Sequence, residues 1–255
     1  MVRICVLGSG SGGNSTFVGG ERTALLVDAG LSYRRVQQEL AVLGVEPQEI
    51  KAILITHEHT DHCGEVSSLA RQFDCPIYGT RRTLKELGWF LSGGEELRPF
   101  EVGEELEIGD LRIESFPVFH DAIDPCGYLI SDGRSSVGLA TDLGVVTRAV
   151  LENLARCDTV ILEANHDLEM LRNGPYPWDL KQRIRSEVGH LSNEAAGEAL
   201  AELTRKGRLK KTLLTHLSQN NNRPELALQT VQNFLDGRVE VLLTWQDRRS
   251  ELIEL

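Results

Sequence analysis

The chain has 255 residues, 41% hydrophobic and 25% charged, an ordinary globular composition with enough length for a sizeable core. Its formal net charge of −11 weighs against a broad nucleic-acid-binding face, although LKQRIR (180–185) and RKGRLKK (205–211) are local reversals. No run reaches the length of a membrane span, and MVRICVLGSGSGG lacks the apolar core of a signal peptide, so a cytoplasmic protein with no membrane partner is expected.

In chain order, RICVLG (3–8) reads as a strand and leads into the glycine-rich LGSGSGGNS (7–15). A dinucleotide-binding turn of that composition should open a helix. Here the strand-like STFVG (15–19) and TALLVDAG (23–30) follow instead, which excludes that reading. The turn is either structural or an anion cradle, with Ser11 and Asn14 as its side-chain contacts. SYRRVQQELAVLG (32–44) has helical periodicity, and KAILITH (51–57), LRIESFPV (111–118), CGYLISD (126–132) and SSVGLATD (135–142) read as strands. Beyond them, helical VVTRAVLENLARC (145–157), SNEAAGEALAELTRKG (192–207) and RPELALQTVQNFLDG (223–237) alternate with strand-like DTVILEAN (158–165), KTLLTHL (211–217) and VEVLLTW (239–245). Strands first and alternation later predict two sheets packed face to face with helices outside, as one domain over 1–255. The five cysteines lack CxxC spacing and read as reduced thiols, with Cys63 a small buried neighbour rather than a ligand.

The segment HEHTDHCG (57–64) holds three of the seven histidines. It is HxHxDH after a strand, not the helical HExxH zinc motif. His57 and His59, two apart on extended chain, point to one side, whereas the adjacent Asp61 and His62 diverge, which suits a second metal beside the first. His120, His166 and His216 each follow a strand-like run, His190 precedes a helix, and Asp28 and Asp142 also stand at strand ends. Such positions gather on one rim of a sheet, so the polar loop at 57–62 is read as part of a metal site.

HxHxDH followed in order by His120, Asp142 and His216 resembles the metallo-β-lactamase superfamily over nearly the whole chain. The resemblance implies an α+β fold, an αββα sandwich of two mixed sheets flanked by helices, with two divalent ions (zinc or manganese, or iron) at one edge. It implies that His57, His59 and His120 hold one ion, that Asp61, His62 and His216 hold the other, and that Asp142 bridges them. Asp28 would support the ligand loop from behind. HDAIDPCGYLI (120–130), GHLSNEAAGEAL (189–200) and VILEAN (160–165) resemble segments of tRNase Z, which makes His190 the general acid and Glu163 its orienting partner. Leu162 departs from that pattern, standing where tRNase Z has a histidine.

Closer is the similarity to the YycJ (WalJ) type of small bacterial superfamily members, carried by LGSGSGGNST, THEHTDHCG, EANHDLEMLRNGPYP, LKQRI, GHLSN and THLSQNNN. This likeness implies a metal-dependent phosphodiesterase, a 5′-to-3′ exodeoxyribonuclease acting on DNA ends with a place in DNA repair and repair proteins as partners. The alternatives are a thioester or lactone hydrolase of the same fold, or a tRNase Z-like ribonuclease. Under the nuclease reading, Asp61 shares in catalysis with His190 and Glu163. Ser11, Asn14, His166, Arg172, Lys181, Arg183 and Asn221 are the candidates for holding substrate phosphates, and solvated helix faces are the other account of the arginines and the lysine.

Overall fold

A computed structural model describes residues 1–255. Its strands, in chain order, are β1 (Arg3–Gly8), β2 (Ser15–Gly19), β3 (Ala24–Val27), β4 (Ile50–Leu54), β5 (Ile77–Thr80), β6 (Leu97–Phe100), β7 (Glu105–Ile108), β8 (Leu111–Pro117), β9 (Cys126–Ser131), β10 (Ser136–Ala140), β11 (Thr159–Glu163), β12 (Lys211–Thr215), β13 (Glu240–Leu243) and β14 (Ile253–Glu254). Two seven-stranded sheets form, ordered β14-β1-β2-β3-β4-β5-β6 and β13-β12-β11-β10-β9-β8-β7. The helices are α1 (Tyr33–Val42), α2 (Thr60–Cys63), α3 (Val66–Phe73), α4 (Arg81–Glu86), α5 (Arg148–Leu154), α6 (Leu168–Asn173), α7 (Trp178–Ile184), α8 (Asn193–Arg205) and α9 (Pro224–Phe234). The αββα sandwich of two mixed sheets is what the chain adopts.

Side-chain parity explains the four layers. In β3, Leu25 and Val27 enter the apolar layer between the sheets, while Ala24 and Leu26 face the outer layer that packs α1 and α3. In β11, Ile161 points inward and Val160 and Leu162 point out, against the layer that holds α5, α8 and α9. Both faces of these strands are covered, so they read as continuous apolar runs without alternation.

All ten strand-like runs become strands. The helix read over 145–157 starts only at Arg148, because the Thr147 hydroxyl accepts the Val150 N–H at 3.3 Å and caps it there. Ser192 caps α8 in the same way through Ala195 N–H at 3.2 Å.

The topology places the site. β3 and β4 run parallel, as do β10, β11, β12 and β13, so their C-terminal ends emerge along one rim. There the Ser9 and Thr215 hydroxyls, one at the end of each sheet's run, bond at 2.6 Å, and Ser9 Oγ also accepts the His216 N–H at 3.0 Å. Asp28, Asp142 and His216, each just past a strand end, have left-handed backbones with φ of 66°, 53° and 56°. That conformation is costly outside glycine, Asn and Asp. It turns each chain sharply enough to aim the side chain along the rim.

Candidate metal centre

Asp28 anchors the ligand loop. Its Oδ1 accepts the Thr56 backbone N–H and hydroxyl, both at 2.9 Å, and its Oδ2 accepts His62 Nδ1–H at 2.8 Å. The opposite nitrogen of His62 is thereby turned to the cluster, 3.1 Å from Asp142 Oδ2 and 3.5 Å from Asp61 Oδ2. The loop itself is wedged against backbone. Asn14 N–H donates to Asp61 O at 2.7 Å, Gly30 N–H donates to Asn14 O at 2.9 Å, and a Cβ on Gly30 would lie 1.7 Å from Asp61 O. Only glycine fits there.

Potential ligand atoms of His57, His59 and His120 lie within 4.8 Å of one another, as do those of Asp61, His62 and His216. Asp142 lies between the two groups. Its carboxylate is 3.4 Å from His216 Nδ1 and 3.8 Å from His120 Nε2 as well as close to His62. His120 Nδ1–H is spent on the Gly189 carbonyl at 3.1 Å, which leaves Nε2 as its ligand atom. The buried Nε2 of His57 has no hydrogen-bond partner. Burial and then the charge of His62 push the His57 pKa well down, so the ring is neutral, and with Nδ1–H on the Thr56 hydroxyl at 3.0 Å the lone pair is on Nε2. An orphaned imidazole lone pair among histidines and carboxylates fits a divalent cation.

The carboxylates set the field. Burial opposes charging of His62, but Asp142 and Asp28 outweigh it and hold its pKa well above the ordinary value. His216 follows the same balance, burial against Asp142, Asp61 and Glu163, and is raised to about 10. Burial would raise Asp61 and Asp142. The surrounding imidazoles outweigh that and hold both low, Asp142 chiefly through His216 and His62. Such a cluster favours resident positive charge.

Glu163, fully buried at the end of β11, serves two histidines. Its Oε1 accepts from His190 Nδ1 at 2.8 Å and from His216 Nδ1 at 2.9 Å, while Oε2 takes the N–H groups of Leu143 and Leu191 at 2.9 and 3.2 Å. Burial works against its ionisation, yet His190 and His216 bring its pKa down to about 2. Burial also opposes charging of His190, and the Glu163 and Asp142 charges reverse it, so the His190 pKa is raised. With Nδ1 bound, Nε2 of this part-exposed ring is the free nitrogen, and His190 lines a cleft with Ser11, Tyr176, Arg183 and Ser218. Leu162 is packed in the outer layer, away from the cluster.

The other sequence candidates separate into cleft, core and surface. Ser11 and Arg183 line the cleft, and Arg183 Nε donates to Asp121 Oδ2. Asn14 is buried, its amide spent on Gly10, Asp61 and His62. His166 and Asn221 are buried too; His166 Nδ1 and both amide atoms of Asn221 lack partners, and burial lowers the His166 pKa to about 4. Arg172 pairs with Glu169 at 2.9 Å, and Lys181 Nζ donates to the carbonyls of Arg172 and Gly174. Cys63 Sγ donates to the Glu58 and His59 carbonyls beneath the loop. Two contributors were not read from the sequence: Thr56, the backbone clamp for Asp28, and Asp121, whose Oδ1 lies 3.2 Å from His120 Nε2. Asp121 directly follows a histidine already singled out, which was the available signal.

Comparison with known proteins agrees with this geometry. A sequence model of the beta-lactamase superfamily domain matches residues 23–217. The exodeoxyribonuclease WalJ of Streptococcus pneumoniae is 43% identical over 236 residues, covering 90% of this chain and 87% of WalJ. The exodeoxyribonuclease YycJ of Bacillus anthracis is 37% identical over 91% of this chain and 89% of its own. Among solved structures, the metallo-beta-lactamase fold protein YhfI of Bacillus subtilis superposes with a TM-score of 0.77 at 18% identity, covering 98% of this chain and 100% of YhfI. The short form of human tRNase Z gives 0.64 at 18% identity, covering 99% and 100%. The sandwich, the rim of ligands and these full-length matches lead to one assignment: the chain belongs to the beta-lactamase superfamily and, within it, to the family of the exodeoxyribonucleases WalJ and YycJ.

Proposed function

We propose that this protein is a metal-dependent exodeoxyribonuclease that shortens DNA from 5′ ends, working as one domain over residues 1–255. The observation that carries the reading is the Glu163–His190 pair, set at 2.8 Å beside the ligand cluster with its free nitrogen on the cleft. Simple metal binding has no use for it. The similarity to WalJ and YycJ, both named exodeoxyribonucleases, supports the substrate class, and a place in DNA repair is part of the proposal.

His57, His59 and His120 would hold one divalent ion, Asp61, His62 and His216 the other, with Asp142 between them. Zinc and manganese suit this donor set, and iron is compatible with it. When bound, such ions supply a water acidic enough to act near neutral pH and offset charge on phosphate oxygens. The protein's own part is proton delivery. Glu163 fixes the His190 ring and favours its protonated form, so Nε2 can pass a proton to the leaving oxygen as the P–O bond breaks. Glu163 is in turn held by the Leu143 and Leu191 N–H groups, which stops it from following the proton. Ser11 and Arg183 at the cleft mouth are placed to hold phosphates, and Asn14 acts from behind by fixing Asp61 and His62. For His166 and Asn221, whose buried polar atoms lack partners, and for Arg172 and Lys181 on the surface, we keep phosphate contact as the proposed role.

A linear duplex labelled at its 5′-phosphate, incubated with Mn²⁺, tests this. Stepwise loss from the 5′ end with survival of covalently closed circles is the expected result. Circles cut as fast as linear DNA would mean an endonuclease, and hydrolysis of thioesters without action on any nucleic acid would mean the other hydrolytic branch.

A further inference from the structure

The rim carries a second depression. A groove of about 510 Å³ abuts the cleft at Leu217 and Ser218, which line both. That size falls within the roughly 300–1,000 Å³ common for small-ligand clefts, enough for a nucleotide. Its walls include Arg223, Trp245, Gln246 and Asn222, and the chemistry above uses none of them.

Trp245 is held in a fixed orientation. The Arg248 guanidinium packs over its ring, 4.0 Å from the centroid, and the Trp245 carbonyl accepts the Ser9 N–H at 2.9 Å. Its neighbour Gln246 clamps the glycine-rich turn, accepting Gly12 N–H at 2.7 Å and donating to Gly13 O at 2.9 Å. The same turn is tied through Asn14 to Asp61 and His62. The indole therefore sits at a set offset from the ligand loop. Arg223, exposed at the start of α9, lines the same groove as Trp245, just as Tyr176 and Arg183 both line the catalytic cleft.

An aromatic ring beside a guanidinium is the footing used for single-stranded nucleic acid. The ring stacks on a base of any identity and the cation meets the adjoining phosphate. Asp247 also lines the groove and offsets Arg223, so stacking carries more of the binding than charge. This suits a chain of net charge −11, which lacks the surface for purely electrostatic capture.

We infer that the Trp245–Arg223 groove is a second nucleotide subsite, holding a base and phosphate of the substrate strand next to the nucleotide in the catalytic cleft. The protein thus grips a separated DNA strand across Leu217 and Ser218. The inference rests on the exodeoxyribonuclease reading.

The test is binding of a 5′-phosphorylated, dye-labelled octathymidylate to metal-loaded His190→Ala protein, followed by fluorescence anisotropy. Adding Trp245→Ala should raise Kd roughly 5- to 150-fold, the effect of losing one stacked base, while Trp245→Phe keeps most of the affinity. Arg223→Ala should reduce the slope of log K against log salt by about 0.7, one single-strand phosphate contact. Unchanged affinity in Trp245→Ala, with wild-type protein still cleaving the oligomer, overturns the groove and leaves the activity standing. Equal losses in the Ala and Phe variants overturn it in favour of packing. Wild-type protein that neither binds nor cleaves any DNA overturns the activity reading first, and the groove with it.

Discussion

At the scale of single residues, the proposed site separates into groups that would hold ions, a pair that would move a proton and groups that hold other residues. His190→Ala should retain its fold and metals but lose on the order of 10²–10⁴-fold in kcat on DNA. The loss should shrink on a p-nitrophenyl phosphodiester, whose leaving group needs no proton, and equal losses on both substrates would show a positioning role. Asp142 touches both ligand groups, so elemental analysis should find Asp142→Ala short of both ions where wild type carries close to two per chain. His216→Ala should mainly lose one. Gly30→Ala tests the backbone wedge: a Cβ 1.7 Å from Asp61 O must push the ligand loop away. We expect a loss of about 2–4 kcal/mol in stability together with weakened metal binding, measured by denaturant titration and by metal competition. The residues that gather in the cluster were legible in the sequence because histidines and aspartates followed strand-like runs. Thr56 and Asp121 were not, since a threonine clamp and an aspartate set beside an imidazole look like any polar loop until the chain is folded.

Strands were legible in the sequence where they form an apolar run of some length; β5 (IYGT) and β14 (IE), four and two residues long, are too short to give one, although β5 lies inside its sheet. Most of the ten runs read as strands are apolar because helices or the opposite sheet cover them; β13, at a sheet edge, is only partly covered. β6 and β7 escaped notice because Leu97, Arg98, Pro99, Glu105 and Glu107 are exposed at sheet edges, where no apolar run is required. α3 (VSSLARQF) and α7 (WDLKQRI) are too short to show a full periodic stripe. At the junction of β10, β11 and β12, Asp158 ties elements together. Its carboxylate accepts Ser136 N–H at 3.0 Å and pairs with Arg208 and Lys210 at 3.2 and 3.3 Å. Burial would raise its pKa, but Arg208, Lys210 and the Ser136 N–H outweigh burial and lower it. The folded value lies below the unfolded one of about 3.9, so its stabilisation is present above that pH and is lost as pH falls through the folded value. Asp158→Asn should therefore cost about 1–2 kcal/mol at pH 7, with the gap to wild type narrowing as pH falls through the lowered folded value. A gap that persists in acid would assign the cost to geometry rather than charge.

For the molecule as a whole, the ligands bridge the sandwich. His57, His59, Asp61 and His62 follow β4 of one sheet; His120, Asp142 and His216 belong to loops of the other. A cation held among them joins the two halves, and binding to the folded state alone raises stability by about 4 kcal/mol at a thousandfold excess over Kd. Stripping with chelator should lower Tm on the order of 10 °C, and stoichiometric Zn²⁺ or Mn²⁺ should restore it. Differential scanning calorimetry reads this directly, and a Tm indifferent to chelator would mean that the cluster holds no tightly bound ion. No helix is long and apolar enough to cross a membrane, and all five cysteines are buried free thiols, in keeping with the thiol reading.

The division of ligands between sheets also orders events in the life of a new chain. A ribosome that has delivered β1 to β6, all of the first sheet except its C-terminal edge strand β14, has made four of the seven candidate ligands and neither Glu163 nor His190. The last ligand, His216, arrives after more than four-fifths of the chain, at the end of a strand that must first pair in parallel with β11. Hydrolytic competence is consequently the last property acquired. A copy that stops short of His216 lacks part of the proposed ligand set, and one that stops short of Glu163 lacks the proposed proton-delivering pair as well, so such fragments carry no complete site and need no separate inhibitor.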